Sequence, residues 1–128
     1  MEQQSIQISE IRLEWTDWYP WKVLLLDARS NPGAVRVPNL PGVYEARLRD
    51  TEERLTIGKA SNLRMRVKQG LVKGKVPHSS GKDIRASENL DLIQIRWAKT
   101  DRPAATEEEL HRQYVKRFGK MPLFTDHT

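Results

Sequence analysis

Hydrophobic and polar positions follow two periods along this chain, and each change of period marks an element. In residues 43–49, Tyr44, Ala46 and Leu48 alternate with Glu45, Arg47 and Arg49, the pattern of a half-buried strand. The polar run "DTEE" predicts a turn, and "RLTIG" returns as a second strand, giving a hairpin. Leu63, Val67 and Leu71 then fall on one face of a helix that Ser61 or Asn62 could cap. A glycine-bearing basic loop follows over 70–89, with room for a short helix inside it. Ile93, Ile95 and Trp97 alternate with Gln94 and Arg96 as a third strand, and a final helix spans 107–118. Upstream, Ile6, Ile8, Ile11 and Leu13 read as an opening strand. "WKVLLLDAR" after Pro20 reads as helix or strand, and Pro38 and Pro41 keep the following segment extended. The prediction is an α+β protein: a small, mainly antiparallel central sheet of three or more strands, flanked by helices. A single domain over 1–128 is expected, with its core in 40–125 and an extension, residues 1–35, to which the pattern gives no role.

Composition narrows the chemistry. Lysine and arginine number 22 against 17 acids, a formal charge of +5. That excess suits a polyanionic partner. The absence of cysteine excludes a disulfide scaffold, a thiolate zinc site and a cysteine nucleophile. The start "MEQQSIQISE" has no basic stretch ahead of an apolar one, and "VLLL" is too short to span a bilayer. A soluble cytoplasmic protein of bacterial type, with no membrane association, is the expectation. Lys59, Arg64, Arg66, Lys68, Lys73, Lys75, Lys82 and Arg85 crowd the middle of the chain, with Asp83 the sole acid among them. Either they form a solvated face, or Arg64, Lys68, Lys73, Lys75, Lys82 and Arg85 contact a phosphate backbone. Trp15, Trp18 and Trp21 recur every three residues and, flanking apolar sequence, are expected to pack as core or cover one end of the sheet.

Gly42-Val43-Tyr44 and Thr56-Ile57-Gly58 stand on the two paired runs, with Lys59 directly after the second glycine and Arg66 eight positions beyond it. In this order and register they resemble the GIY-YIG nuclease superfamily. "IGKASNLRMRV" is similar to the corresponding stretch in the N-terminal nuclease domain of the bacterial excision-repair incision subunit. The resemblance covers roughly residues 40–125 and implies an endonuclease that hydrolyses phosphodiester bonds in DNA, in a repair context, using Mg²⁺ or Mn²⁺. RNA remains the alternative polyanion. By this resemblance Tyr44, Lys59, Arg66 and a glutamate on the last helix are catalytic, and the glutamate ligates the metal. Tyr44 would take a proton from water beside the Lys59 cation, and Gly42 and Gly58 would let backbone and substrate approach.

Helical phase selects among Glu107, Glu108 and Glu109. Leu110, His111, Tyr114 and Phe118 define the apolar stripe, and at about 100° per residue Glu107 lies at its centre. An inward carboxylate needs a cation or a partner. The alternative for Glu107 is a solvated first-turn acid, while Thr106-x-x-Glu109 reads as a capping box. Arg66 falls about 100° from the centre of the Leu63–Val67–Leu71 stripe, where it can face a cleft, whereas Arg64 lies nearer the stripe and would have to snorkel. Tyr44 is either a core residue or the base. Thr56 stands where the family has tyrosine, Lys68-Gln69-Gly70 where the incision subunit has an aromatic, and Thr125 where it has asparagine. His78 or His111 could stand in for a missing group. A nucleic-acid-binding module without turnover, or a protein-interaction domain using the tryptophan-rich start, are the competing readings.

Overall fold

The computed structural model describes residues 12–125 apart from 28 and 30. The opening run around Ile6, Ile8 and Ile11 lies outside the described residues, and Leu13 sits in irregular chain.

Alternation builds the sheet. β1 (Tyr19–Pro20), β2 (Gly42–Leu48), β3 (Thr56–Ala60) and β4 (Ile93–Lys99) form one four-stranded sheet in the order β1-β4-β2-β3. All three pairings are antiparallel. Across β2 and β4, Tyr44 faces Trp97, Ala46 faces Ile95 and Leu48 faces Ile93, so one face of the sheet is apolar. In the β2–β3 turn Asp50 adopts φ 64°, a left-handed conformation that aspartate tolerates well.

Three helices cover that apolar face. α1 (Trp21–Leu25) resolves the helix-or-strand ambiguity after Pro20, sending Trp21 and Leu24 into the core. α2 (Arg64–Val72) contributes Val67, Leu71 and Val72, and α3 (Ser79–Ser87) contributes Ile84. α2 is wound as a π-helix, with Lys73 N donating to Lys68 O at 3.0 Å. The winding changes which residues face inward. At ~4.4 residues per turn, about 82° each, Leu63, Val67, Lys68, Leu71 and Val72 share one broad face. An α-helix would turn Lys68 and Val72 about 140° and 180° away from Leu63. Lys68 is accordingly only 3% exposed, against the expectation of a surface cation.

α4 (Pro103–Phe118) starts four residues earlier than the hydrophobic pattern indicates, because Pro103 supplies a pre-set first helical position. Thr106 therefore lies inside the helix and bonds back to Arg102 O at 2.7 Å, so the expected capping box with Glu109 does not form. His111 Nε2 donates to Ile57 O at 2.9 Å, and Tyr114 Oη accepts from Arg54 N at 3.0 Å. These bonds hold α4 along β3.

The opposite face of β2 and β4 carries Glu45, Arg47, Gln94 and Arg96. Glu45 is buried; Arg96 Nε donates to its Oε1 at 2.6 Å, and Arg54 Nε lies 3.0 Å from the same oxygen. Trp18 spreads over Arg47, Arg96 and Arg54, whose guanidinium carbons lie 4.1, 4.4 and 4.9 Å from its ring centre; Trp15 stacks on Arg96 at 4.5 Å. Thr16 fastens this segment to β4 through Thr16 N to Trp97 O and Trp97 N to Thr16 Oγ1. Two of the three tryptophans thus cover arginines and only Trp21 is core, because the arginines they meet are distant in sequence. Residues 15–18 are the cover of a charged sheet face. Among the described residues no helix is long and apolar enough to cross a membrane.

Removing the Glu45 carboxylate leaves two guanidiniums without their shared acid. Glu45→Ala should cost about 3 kcal/mol in urea denaturation.

Candidate active site

Gly58 lies opposite Tyr44 in the β2–β3 ladder. A Cβ on Gly58 would stand 2.3 Å from the Tyr44 hydroxyl and 2.4 Å from its Cζ. The tyrosine ring therefore lies across β3 in the space that a side chain would fill, and its oxygen reaches the outer border of the sheet. Gly42 serves similarly at the other end of β2, where a Cβ would meet Ala98 O at 2.4 Å and Leu63 Cδ1 at 2.7 Å. Both glycines make room for the protein's own atoms, where substrate access was the expectation.

Beside β3 opens a cavity of about 540 Å³ whose wall includes Tyr44, Lys59, Arg66 and Glu107. These four residues come from β2, β3, α2 and α4. Arg66 stands half-buried on the flank of α2, and Pro103 and Ala104 of α4 close the far side. The three consecutive glutamates separate by helical phase. Glu108 and Glu109 both pair with Arg112 on the exposed side, and Gln113 Nε2 donates to Glu109 Oε1 at 3.2 Å. Glu107 is half-buried and turns to the cavity. Thr56 is fully buried in the same wall.

Lys59 is exposed, and alternation sends its side chain to the side of β3 opposite the Tyr44 ring. The group bonded to the phenol is His78, whose Nε2 lies 2.7 Å from Tyr44 Oη. His78 is buried as the N-cap of α3, where its Nδ1 accepts from Gly81 N at 2.9 Å. With Nδ1 an acceptor, the neutral imidazole carries its proton on Nε2 and donates it to the phenol oxygen. Gly70 leaves the room required: a Cβ there would lie 3.3 Å from both Cβ and Cδ2 of His78. The space over Gly70 is thus filled by a ring delivered from the next loop. The sequence signal for this was a histidine just ahead of "SSG", at a helix N-cap position.

The basic residues divide into distinct environments. Lys75 and Lys82 are exposed beside Pro77 and line a second depression of about 500 Å³. Lys73 is half-buried at the end of α2, and Arg64 is exposed without having to snorkel. Arg85 Nη1 donates to Gly70 O at 3.0 Å and Leu71 O at 2.6 Å, satisfying carbonyls at the end of α2. This capping accounts for a guanidinium predicted to contact nucleic acid. Lys68, predicted likewise, is buried by the π winding; its ammonium is held below the ordinary lysine value by burial and then by Lys73 and Arg64. Thr125 makes a local turn through Pro122 O, and His111 is engaged with Ile57 O.

Glu107 is the one acid among the residues lining this cavity, so a divalent ion there would have a single protein carboxylate. No cluster of three or more metal-ligating side chains occurs among the described residues, and one carboxylate facing an open cavity suits Mg²⁺, which keeps most of its waters and takes phosphate oxygens. No family model, curated protein or solved structure matches this chain.

Gly58→Ala should displace the Tyr44 ring and destabilise the fold by about 1–3 kcal/mol. Gly33→Ala, with nothing within 4 Å of the added carbon, should change stability by no more than about 0.5 kcal/mol. Urea titration of both variants checks the pair.

Proposed function

We propose that this chain is a Mg²⁺- or Mn²⁺-dependent endonuclease of GIY-YIG type that hydrolyses phosphodiester bonds in DNA. The carrying observation is that Tyr44, Lys59, Arg66 and Glu107, from four separate elements, line one cavity. A cytoplasmic role in repair is part of the same proposal, following from the resemblance.

Glu107 would hold the divalent ion, which when bound supplies Lewis acidity to the scissile phosphate and charge stabilisation to the leaving oxygen. Arg66 donates to the non-bridging oxygens, where charge grows as the water oxygen bonds to phosphorus. Lys59 adds positive potential at the mouth of the cavity. Tyr44 in its phenolate form takes the proton of the attacking water as the phosphorus–oxygen bond to the leaving strand breaks. The departing oxygen is protonated from solvent, and the two ends carry a phosphate and a hydroxyl. His78 is the positioning residue of this scheme. Its Nε2–H, donated to Tyr44 Oη, fixes the phenol and stabilises negative charge on that oxygen. Gly81 N–H in turn fixes the tautomer.

Incubated with supercoiled plasmid and Mg²⁺, the protein should convert it to the nicked form, and omission of the metal should stop the reaction. Glu107→Ala should abolish nicking while retaining salt-sensitive DNA binding. Arg66→Ala should lower the rate roughly 10²–10³-fold. Binding without nicking, across branched and damaged substrates and both metals, would instead establish a module without turnover. His78→Ala should shift the pH–rate profile to higher pH, since the phenolate loses its donor; an unchanged profile with lower stability would reduce His78 to a packing role.

A further inference from the structure

On the flank of α2 away from Arg66 lies a second cavity, about 240 Å³, lined by Arg29, Arg36, Val37, Arg64 and Lys68. The π winding creates it. Taking Leu63 as zero, Lys68 sits about 50° and Arg64 about 80° to one side, and Arg66 about 115° to the other. The extended segment 35–40 supplies the opposite wall, held there by Leu63 N to Leu40 O at 2.8 Å and Arg64 N to Pro38 O at 3.0 Å.

Its charge balance is one-sided. Four cations line the cavity and no acid does. Lys68 is 3% exposed, and no hydrogen bond or ion pair to a described residue engages its ammonium. Asp27 is the acid that acts on it, behind burial, Lys73 and Arg64 in effect, and its carboxylate already accepts Arg29 N–H at 2.9 Å. Lys68 is covered along its stem and ends on the cavity wall beside three guanidiniums, a cluster of like charges that an anion would neutralise. Guanidiniums bind phosphate through paired N–H donors, and lysine adds a point charge.

We propose that this cavity is a built phosphate-binding site, separate from the cavity at Glu107, in which Lys68 is the buried anchor and Arg36 and Arg64 are the outer clamps. The phosphate belongs either to the backbone of a nucleic-acid strand or to a terminal or free phosphomonoester. Assigning it to a strand rests on the nuclease reading; the binding of phosphate does not.

Thermal unfolding of the full chain, in potassium phosphate against potassium chloride at matched ionic strength, tests the site directly. Phosphate should raise the midpoint of the parent protein. Lys68→Met should lose the phosphate increment. The double variant Arg36→Ala/Arg64→Ala, altered only at exposed positions, should weaken phosphate affinity about ten- to hundredfold. Equal phosphate increments in parent and variants, or none beyond chloride in the parent, overturn the proposal. Oligonucleotides of one sequence ending in 5′-phosphate or 5′-hydroxyl identify the source. A preference for the phosphorylated end that Lys68→Met abolishes assigns a terminal phosphate; equal weakening of both assigns the backbone. Unchanged binding of both, with the phosphate increment intact, assigns a free phosphomonoester. Glu107→Gln should leave the phosphate increment untouched, so a failure of the nuclease reading is seen separately, as absent nicking.

Discussion

One steric constraint organises the candidate site: Tyr44 can occupy its place only because Gly58 has no Cβ. A tyrosine in the middle of a strand ordinarily stands over its own sheet. Here the facing position on β3 is empty, so the ring lies over the neighbouring strand and carries its oxygen toward the border. Everything that meets the oxygen depends on that displacement. His78 reaches it across the space above Gly70, and α3 begins where His78 can cap Gly81. Three glycines thus contribute by closeness of packing, and at none of the three is a left-handed backbone involved.

The sheet separates two kinds of electrostatics. On one face apolar residues meet α1, α2 and α3. On the other, Glu45 gathers Arg96 and Arg54, and indole rings cover the guanidiniums. Cation–π contact and a shared carboxylate let a strongly basic chain bury part of its positive charge. Three further cations stand on the two sides of α2, Arg66 on one and Arg64 with Lys68 on the other. A single helix gives both cavities a basic wall.

Much of this was legible in residue order. Period-two alternation gave β2 and β4 with their inward residues, and β3 followed as the returning strand of the hairpin. Helical phase placed Glu107 on the cavity side and Glu108 and Glu109 outside, and it turned Arg66 to the flank. The failures have definite physical sources. Lys68 was grouped with the outward cations by its charge alone, and nothing local in "RMRVKQGLV" announces a π winding that turns it inward. Trp15 and Trp18 appeared far from arginine because their arginines come from β2, β3's approach and β4. His78 joins Tyr44 across 34 positions, a separation that no local pattern encodes. The Arg85 cap was hidden for the same reason: its acceptors precede it by 15 and 14 positions.

The borders of the sheet carry a further consequence. Unpaired strand edges recruit strands from other molecules. At one border β1 is only two residues long, too short a template for a second chain. At the other, the Ile57 carbonyl is already taken by His111, and α4 runs alongside. The helix that walls the cavity with Pro103, Ala104 and Glu107 therefore also stands between the outer edge of β3 and any strand from another molecule.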